Sequence, residues 1–288
     1  VLDRLKNLIP AKFRKGAPVV PVVRMSGAIG IGTSFRPGLS MATAAAALER
    51  AFAVKGAPAV ALLINSPGGS PVQSHLIFRR IRALSEEKKI PVIAYLEDVA
   101  ASGGYMIACA ADEIVADASS IVGSIGVVSA SFGLDRLIER WGIERRVYTS
   151  GTRKVTLDPF QPENAEDVEH LKSLQRDVHR MFIDLVKSRR GDNLSTSEDL
   201  FSGLFWAGEA ARALGLVDRV GDLRSDLRAR FGDEVKTKLI GSERGLFRRK
   251  PLGLVAASGI DGGIPPLVSA DEAMAALEVR ALWARYGL

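Results

Sequence analysis

Ser102 stands in Ala100-Ala101-Ser102-Gly103-Gly104-Tyr105, and Lys154 follows 52 residues later in Ser150-Gly151-Thr152-Arg153-Lys154. Upstream, the apolar run 60–64 ends in Asn65-Ser66-Pro67-Gly68-Gly69. A serine hydroxyl is a weak nucleophile at neutral pH and needs a base beside it. A lysine serves as that base only when neutral. In water it titrates near ~10.4, which leaves on the order of one in a thousand neutral at pH 7. Bringing that value to about 7 corresponds to about 4 kcal/mol, which burial in an apolar site supplies. Val155, Leu157 and Phe160 follow Lys154 and can form such a site. Attack on a carbonyl also creates an oxyanion that needs two donors. The Gly103 amide, at the start of a buried helix, is one. Gly69, or next to it Gly68, is the other, on a turn at the C-terminal end of a strand, where open parallel sheets place ligands. The set reads as nucleophile, general base and oxyanion site.

Other candidates are weaker. The three histidines are His75, His170 and His179. His170 and His179 fall in a long amphipathic segment among charged neighbours, where surface placement is the default. His75 is the only alternative base. Lys88, Lys89 and Lys172 sit in charged stretches. Ser85-Glu86-Glu87-Lys88 matches an S-x-x-K pattern by chance at a helix end. The single cysteine, Cys109, lies in an apolar stretch and excludes both an intramolecular disulfide and a Cys-rich zinc site. No phosphate-binding glycine motif is present in the loop 27–38.

Positioning these residues calls for an α/β core. Buried strands are expected at 19–25, 59–65 and 90–96, with helices at 41–53, 72–85 and 102–110 between and after them. Short strands are expected at 114–118, 126–130, 146–149 and 216–220. A long amphipathic helix is expected at 163–190, a further helix at 206–216 and a terminal one at 270–286. The chain divides into an N-terminal helical and basic segment (1–18), a catalytic domain (19–232) and a C-terminal basic loop and helix (233–288). With 288 residues, 47% of them hydrophobic, it buries a full core without staples. A net charge of +6 favours acidic surfaces, but no nucleic-acid module accompanies it, and nucleic acid is not an expected partner. No apolar run approaches the ~18 residues that cross a bilayer. Leu2, Leu5, Leu8 and Ile9 recur at helical spacing ahead of Lys12, Arg14 and Lys15, a pattern for docking on the protein itself or on a membrane surface. The expected location is cytoplasmic or peripheral at the inner membrane.

These segments resemble the protease IV or signal peptide peptidase A family of serine–lysine peptidases. The resemblance runs from about residue 19 to 222. It rests on the Asn65–Gly69 turn, Ala101-Ser102-Gly103-Gly104-Tyr105, Ala110-Ala111-Asp112-Glu113-Ile114, Val122-Gly123-Ser124-Ile125-Gly126-Val127, Ser150-Gly151 ahead of Lys154, and Leu214-Gly215-Leu216-Val217-Asp218. It implies an α/β fold of the Clp protease and crotonase type, with stacked β-β-α units and C-terminal helices. It implies Ser102 as nucleophile, Lys154 as base and Ser124 as the group that orients the lysine amine. Gly126, Val127, Val128 and Ser129 would bind substrate backbone by strand addition. It further implies peptide substrates of signal-peptide-like or other hydrophobic type, no cofactor and no metal, and a homo-oligomeric ring with sites near subunit boundaries. Arg153 stands where the family commonly has an aromatic. The sequence is expected to hold one catalytic unit, without the family's usual membrane anchor. Rival expectations are a crotonase-type acyl-CoA enzyme and a non-catalytic peptide-binding scaffold.

Overall fold

The computed structural model describes residues 17–32, 38–241 and 270–288. The expected N-terminal helix and the basic loop around Arg248 and Arg249 lie outside these residues. The architecture is α/β, as expected. Eight strands of the described residues form one sheet, in which the strands at 205–207, 121–123, 92–101, 60–66, 19–26 and 236–240 are successive neighbours.

The first three strands alternate with helices. β1 (Val19–Ser26) leads to α1 (Met41–Phe52), β2 (Val60–Ser66) to α2 (Pro71–Lys88), and β3 (Val92–Ala101) to α3 (Gly103–Ala108). β1, β2 and β3 pair in parallel and are largely buried, which explains their near-continuous apolar sequences. Ser70 caps α2 by accepting from the Gln73 amide, and Pro71 occupies the first turn, where a missing N–H costs nothing. The Gln73 side chain then accepts from the Met41 amide and ties α1 to α2.

β3 is long enough to pair twice on one side. Its first half runs beside β4 (Glu113–Ala116), and its last residues run beside β5 (Ile121–Gly123). β6 (Phe205–Ala207) closes that edge antiparallel to β5. α4 (Asp135–Arg140), α5 (Ala165–Arg190), α6 (Gly208–Ala213), β7 (Arg219–Val220) and α7 (Leu223–Phe231) follow, then β8 (Lys236–Ile240) and α8 (Ala270–Ala284).

Several expectations need correction. The 206–216 stretch opens as strand β6 before the short helix α6. Residues 126–130 and 146–149 form no strand: they join no β-ladder among the described residues and are largely exposed. Beyond residue 232, where a loop was expected, β8 extends the sheet beside β1. It therefore belongs structurally with the preceding strands rather than with a separate C-terminal segment. Among the described residues, no helix is long and apolar enough to cross a membrane.

Two of the sequence motifs prove to be braces. Arg190, nearly fully buried at the end of α5, donates to both Asp218 carboxylate oxygens at 2.8 and 3.0 Å and to the Gly215 carbonyl at 2.9 Å. Asp218 also accepts from the Ile114 amide at 2.7 Å, and the Tyr105 hydroxyl donates to the Leu216 carbonyl at 2.8 Å. Asp112 accepts from the Val92 amide and from the Arg82 and Arg189 guanidiniums. Asp218→Ala strands the Arg190 charge in the interior. It is expected to lower unfolding free energy by about 3 kcal/mol, read as a reduced denaturant midpoint with an unchanged slope. Cys109 is buried in this same region, and burial pushes its thiol up to about 12, as suits a structural residue.

Candidate active site

Three backbone segments meet at the C-terminal ends of β2, β3 and β5. β3 ends at Ala101, and the chain turns at once into α3 through Ser102, whose backbone lies at φ 52°, ψ −122°. A serine in this region is strained. A sharp strand-to-helix turn of this kind lifts a side chain out of the sheet's end, as a nucleophile requires. The strain is held by neighbours: the Ser102 amide donates to the Gly123 carbonyl at 2.8 Å, and its carbonyl accepts from Met106 at 3.0 Å. Ser102 is partly exposed, while Gly103 and Gly104 behind it are buried.

Parallel pairing of Ala101 with Gly123 sets Ser102 and Ser124 side by side at the ends of β3 and β5. Ser124 also has a positive φ, 54°, and its amide donates to the Leu204 carbonyl at 2.7 Å. Two adjacent non-glycine residues thus hold backbone conformations that favour glycine.

The Pro67-Gly68-Gly69 turn packs directly against this pair. A Cβ on Gly68 would stand 2.9 Å from the Gly103 nitrogen and 2.8 Å from the Ser102 Cβ. On Gly69 it would stand 2.2 Å from the Ile29 carbonyl oxygen. Both positions have positive φ, so only glycine serves there. The Gly68 amide is engaged with the Ser66 hydroxyl at 3.2 Å. The Gly69 amide donates to no group among the described residues, and Gly103 opens α3, where the first amides lack intrahelical acceptors. Gly69 and Gly103 therefore present amides without an acceptor among the described residues.

A cleft of about 570 Å³ opens over these groups. Ser102, Ser124, Gly69, Gly126, Val127 and Val128 all line it. Ser129 does not, and its hydroxyl accepts from the Gln175 amide at 3.1 Å. Lys154 does not line it either. It is exposed, on the turn after Gly151, and the structure of one chain does not bring it to Ser102. The turn belongs to an outlying segment that carries exposed apolar side chains, including Phe132, Trp141 and Tyr148, each at least 74% exposed.

Two parts of the cleft wall were not expected from the sequence. His179 was expected on the surface, yet it lines the cleft and donates from Nε2 to the Ile125 carbonyl at 3.1 Å. Nothing local marks it, because Ile125 is 54 residues away. The C-terminal helix is the second: Leu282 and Arg285 form part of the cleft wall. His75 stands apart, its ring stacked near Phe78. Among the described residues, no cluster of histidine, cysteine, aspartate or glutamate is arranged to hold a metal ion.

A family model described as Peptidase family S49 matches residues 85–237. Over 290 residues, 99% of the chain is 58% identical to a Brucella abortus protein named Na(+)/H(+) antiporter NhaA. That match spans only 39% of the relative, so most of the named antiporter lies outside it. An Arabidopsis thaliana protein named Serine protease SPPA, chloroplastic, is 40% identical over 169 residues, which are 57% of this chain and 24% of the relative. Among solved structures, a mutant of a membrane-bound stomatin-specific protease in complex with a substrate peptide is 16% identical. That match covers 79% of this chain and 93% of its own, with a TM-score of 0.48.

Proposed function

Since the chain belongs to peptidase family S49, we propose that it hydrolyses peptide bonds with Ser102 as nucleophile and Lys154 as general base. The observation that carries the reading is the strained Ser102 turn, which opens into the same cleft as the unengaged Gly69 amide. The substrate carbonyl would lie over Ser102, with its oxygen toward the Gly69 and Gly103 amides. Lys154 takes the hydroxyl proton as Oγ bonds to the carbonyl carbon. It returns that proton to the leaving amine as the C–N bond breaks, then activates the water that releases the acyl group. Val127 and Val128, beside the cleft, suit the backbone of an apolar peptide such as a signal peptide remnant.

The lysine is the group one chain does not supply. Its position on an exposed, apolar-studded segment supports a homo-oligomer in which Lys154 of one copy serves Ser102 of the next. Burying that segment against a neighbour would also provide the desolvation a neutral lysine needs.

A second reading follows from His179. With Nε2–H donated to Ile125, a neutral ring keeps Nδ1 as an acceptor beside the cleft. Hydrolysis that survives Lys154→Ala but not His179→Gln would transfer the base to the histidine.

The assembled protein treated with a fluorophosphonate is expected to gain one adduct per chain, located on Ser102 by peptide mass mapping. Prior denaturation should abolish labelling. No adduct, together with affinity for an acyl-CoA thioester, would favour the crotonase-type reading. Peptide binding with neither adduct nor turnover would favour a scaffold.

A further inference from the structure

The C-terminal helix does more than wall the cleft. Tyr286, just past α8, is 9% exposed, and its ring meets Phe205 edge-on at 5.0 Å. It packs with Val99 and Ala101 of β3, the strand that delivers Ser102. Its hydroxyl donates to Ser124 Oγ at 3.2 Å, with the Pro67 carbonyl at 3.5 Å. A residue 162 positions along the chain therefore reaches the serine paired with the nucleophile's turn, and the turn that carries Gly69.

We propose that Tyr286 is a positioning residue for the reaction, acting through Ser124. This rests on the reading of Ser102 and Lys154 given above. A serine oxygen has two lone pairs and one hydrogen. Tyr286 takes one lone pair and thereby fixes the Ser124 side chain, which is almost fully buried and has no other hydrogen-bond partner among the described residues. The second lone pair is left for the cleft. An amine acting as base must aim its own lone pair at the Ser102 hydrogen, so its N–H groups need acceptors on other sides. Ser124 Oγ, beside Ser102, is such an acceptor, and Tyr286 holds it in place. Because the cleft remains open at about 570 Å³, the helix acts as a wall of a working site and does not fill it.

The test reads acylation of Ser102 by a fluorophosphonate in the assembled full chain, so no natural substrate is needed. Tyr286→Phe keeps the ring contacts and removes only the hydroxyl. The limiting acylation rate is expected to fall about fivefold to tenfold, the equivalent of one neutral hydrogen bond that positions the base. The half-saturating probe concentration should stay unchanged, and the melting temperature should fall by no more than a few degrees. Ser124→Ala should lower the limiting rate by at least as much. Adding Tyr286→Phe to Ser124→Ala should cost nothing further, because the tyrosine has lost the group it acts through. A Tyr286→Phe protein as fast as wild type or faster overturns the inference, as does a second full loss in the Ser124→Ala background. A wild-type chain that takes no probe at Ser102 overturns the underlying assignment of the nucleophile instead, and the inference with it.

Discussion

Ser102→Ala is expected to reduce hydrolysis of the peptide that wild type cleaves fastest by more than about a thousandfold, without loss of fold. Ser102→Gly should be equally inactive yet more stable than wild type, by about 1 kcal/mol. The opposite signs follow from one observation. At φ 52°, ψ −122°, Ser102 holds a conformation natural to glycine, so the side chain is retained at a cost to the fold. Alanine keeps that strain and removes the nucleophile. Glycine removes both, less the entropy its freer unfolded chain gains. Turnover measured beside thermal melting separates the effects. Hydrolysis retained in Ser102→Ala would place the nucleophile elsewhere, and a destabilised Ser102→Gly would mean the turn is held without strain.

The Ser102 turn was legible because its needs are local. A buried strand followed by Ser-Gly-Gly and a buried helix requires small residues where backbone meets backbone, and Gly68, Gly69 and Gly103 supply them. The pairing of Ser102 with Ser124 needed the sheet, since it depends on Ala101 standing beside Gly123. Tyr286 and His179 were not legible. Their partners, Ser124 and Ile125, lie 162 and 54 residues away, and neither the helix that carries His179 nor the turn after α8 that carries Tyr286 gives a local cue to them.

The fold shows the same division. β1, β2 and β3 were readable as strands because both faces are largely buried and their sequences are nearly continuously apolar. β8 was missed because Lys236-Thr237-Lys238-Leu239 stays exposed at a sheet edge, where charge guards against further pairing. The strands expected at 126–130 and 146–149 failed for the converse reason. Their β-branched residues have no neighbouring strand among the described residues, and propensity without a ladder does not make a strand.

The exposed Lys154 leads to the second large effect. Lys154→Ala alone should be as inactive as Ser102→Ala, because an unassisted serine hydroxyl is not a competent nucleophile. Co-refolding the two inactive proteins in equal amounts should nevertheless restore hydrolysis. If each site lies at a boundary, Ser102 comes from one subunit and Lys154 from its neighbour. A boundary is then complete when a Lys154→Ala subunit supplies the serine and a Ser102→Ala subunit supplies the lysine. Random assembly makes about one boundary in four complete, so activity should return to about a quarter of wild type. Unequal mixing should lower it symmetrically about the midpoint, as the product of the two fractions. A site formed within one chain gives no such recovery, since every chain lacks one group. The exposed apolar side chains around Phe132, Trp141 and Tyr148 provide a control on the same segment. Replacing Trp141 and Tyr148 by serine should weaken assembly and acylation together, while a monomer that still takes the fluorophosphonate at the wild-type rate would return the base to the chain that carries the nucleophile.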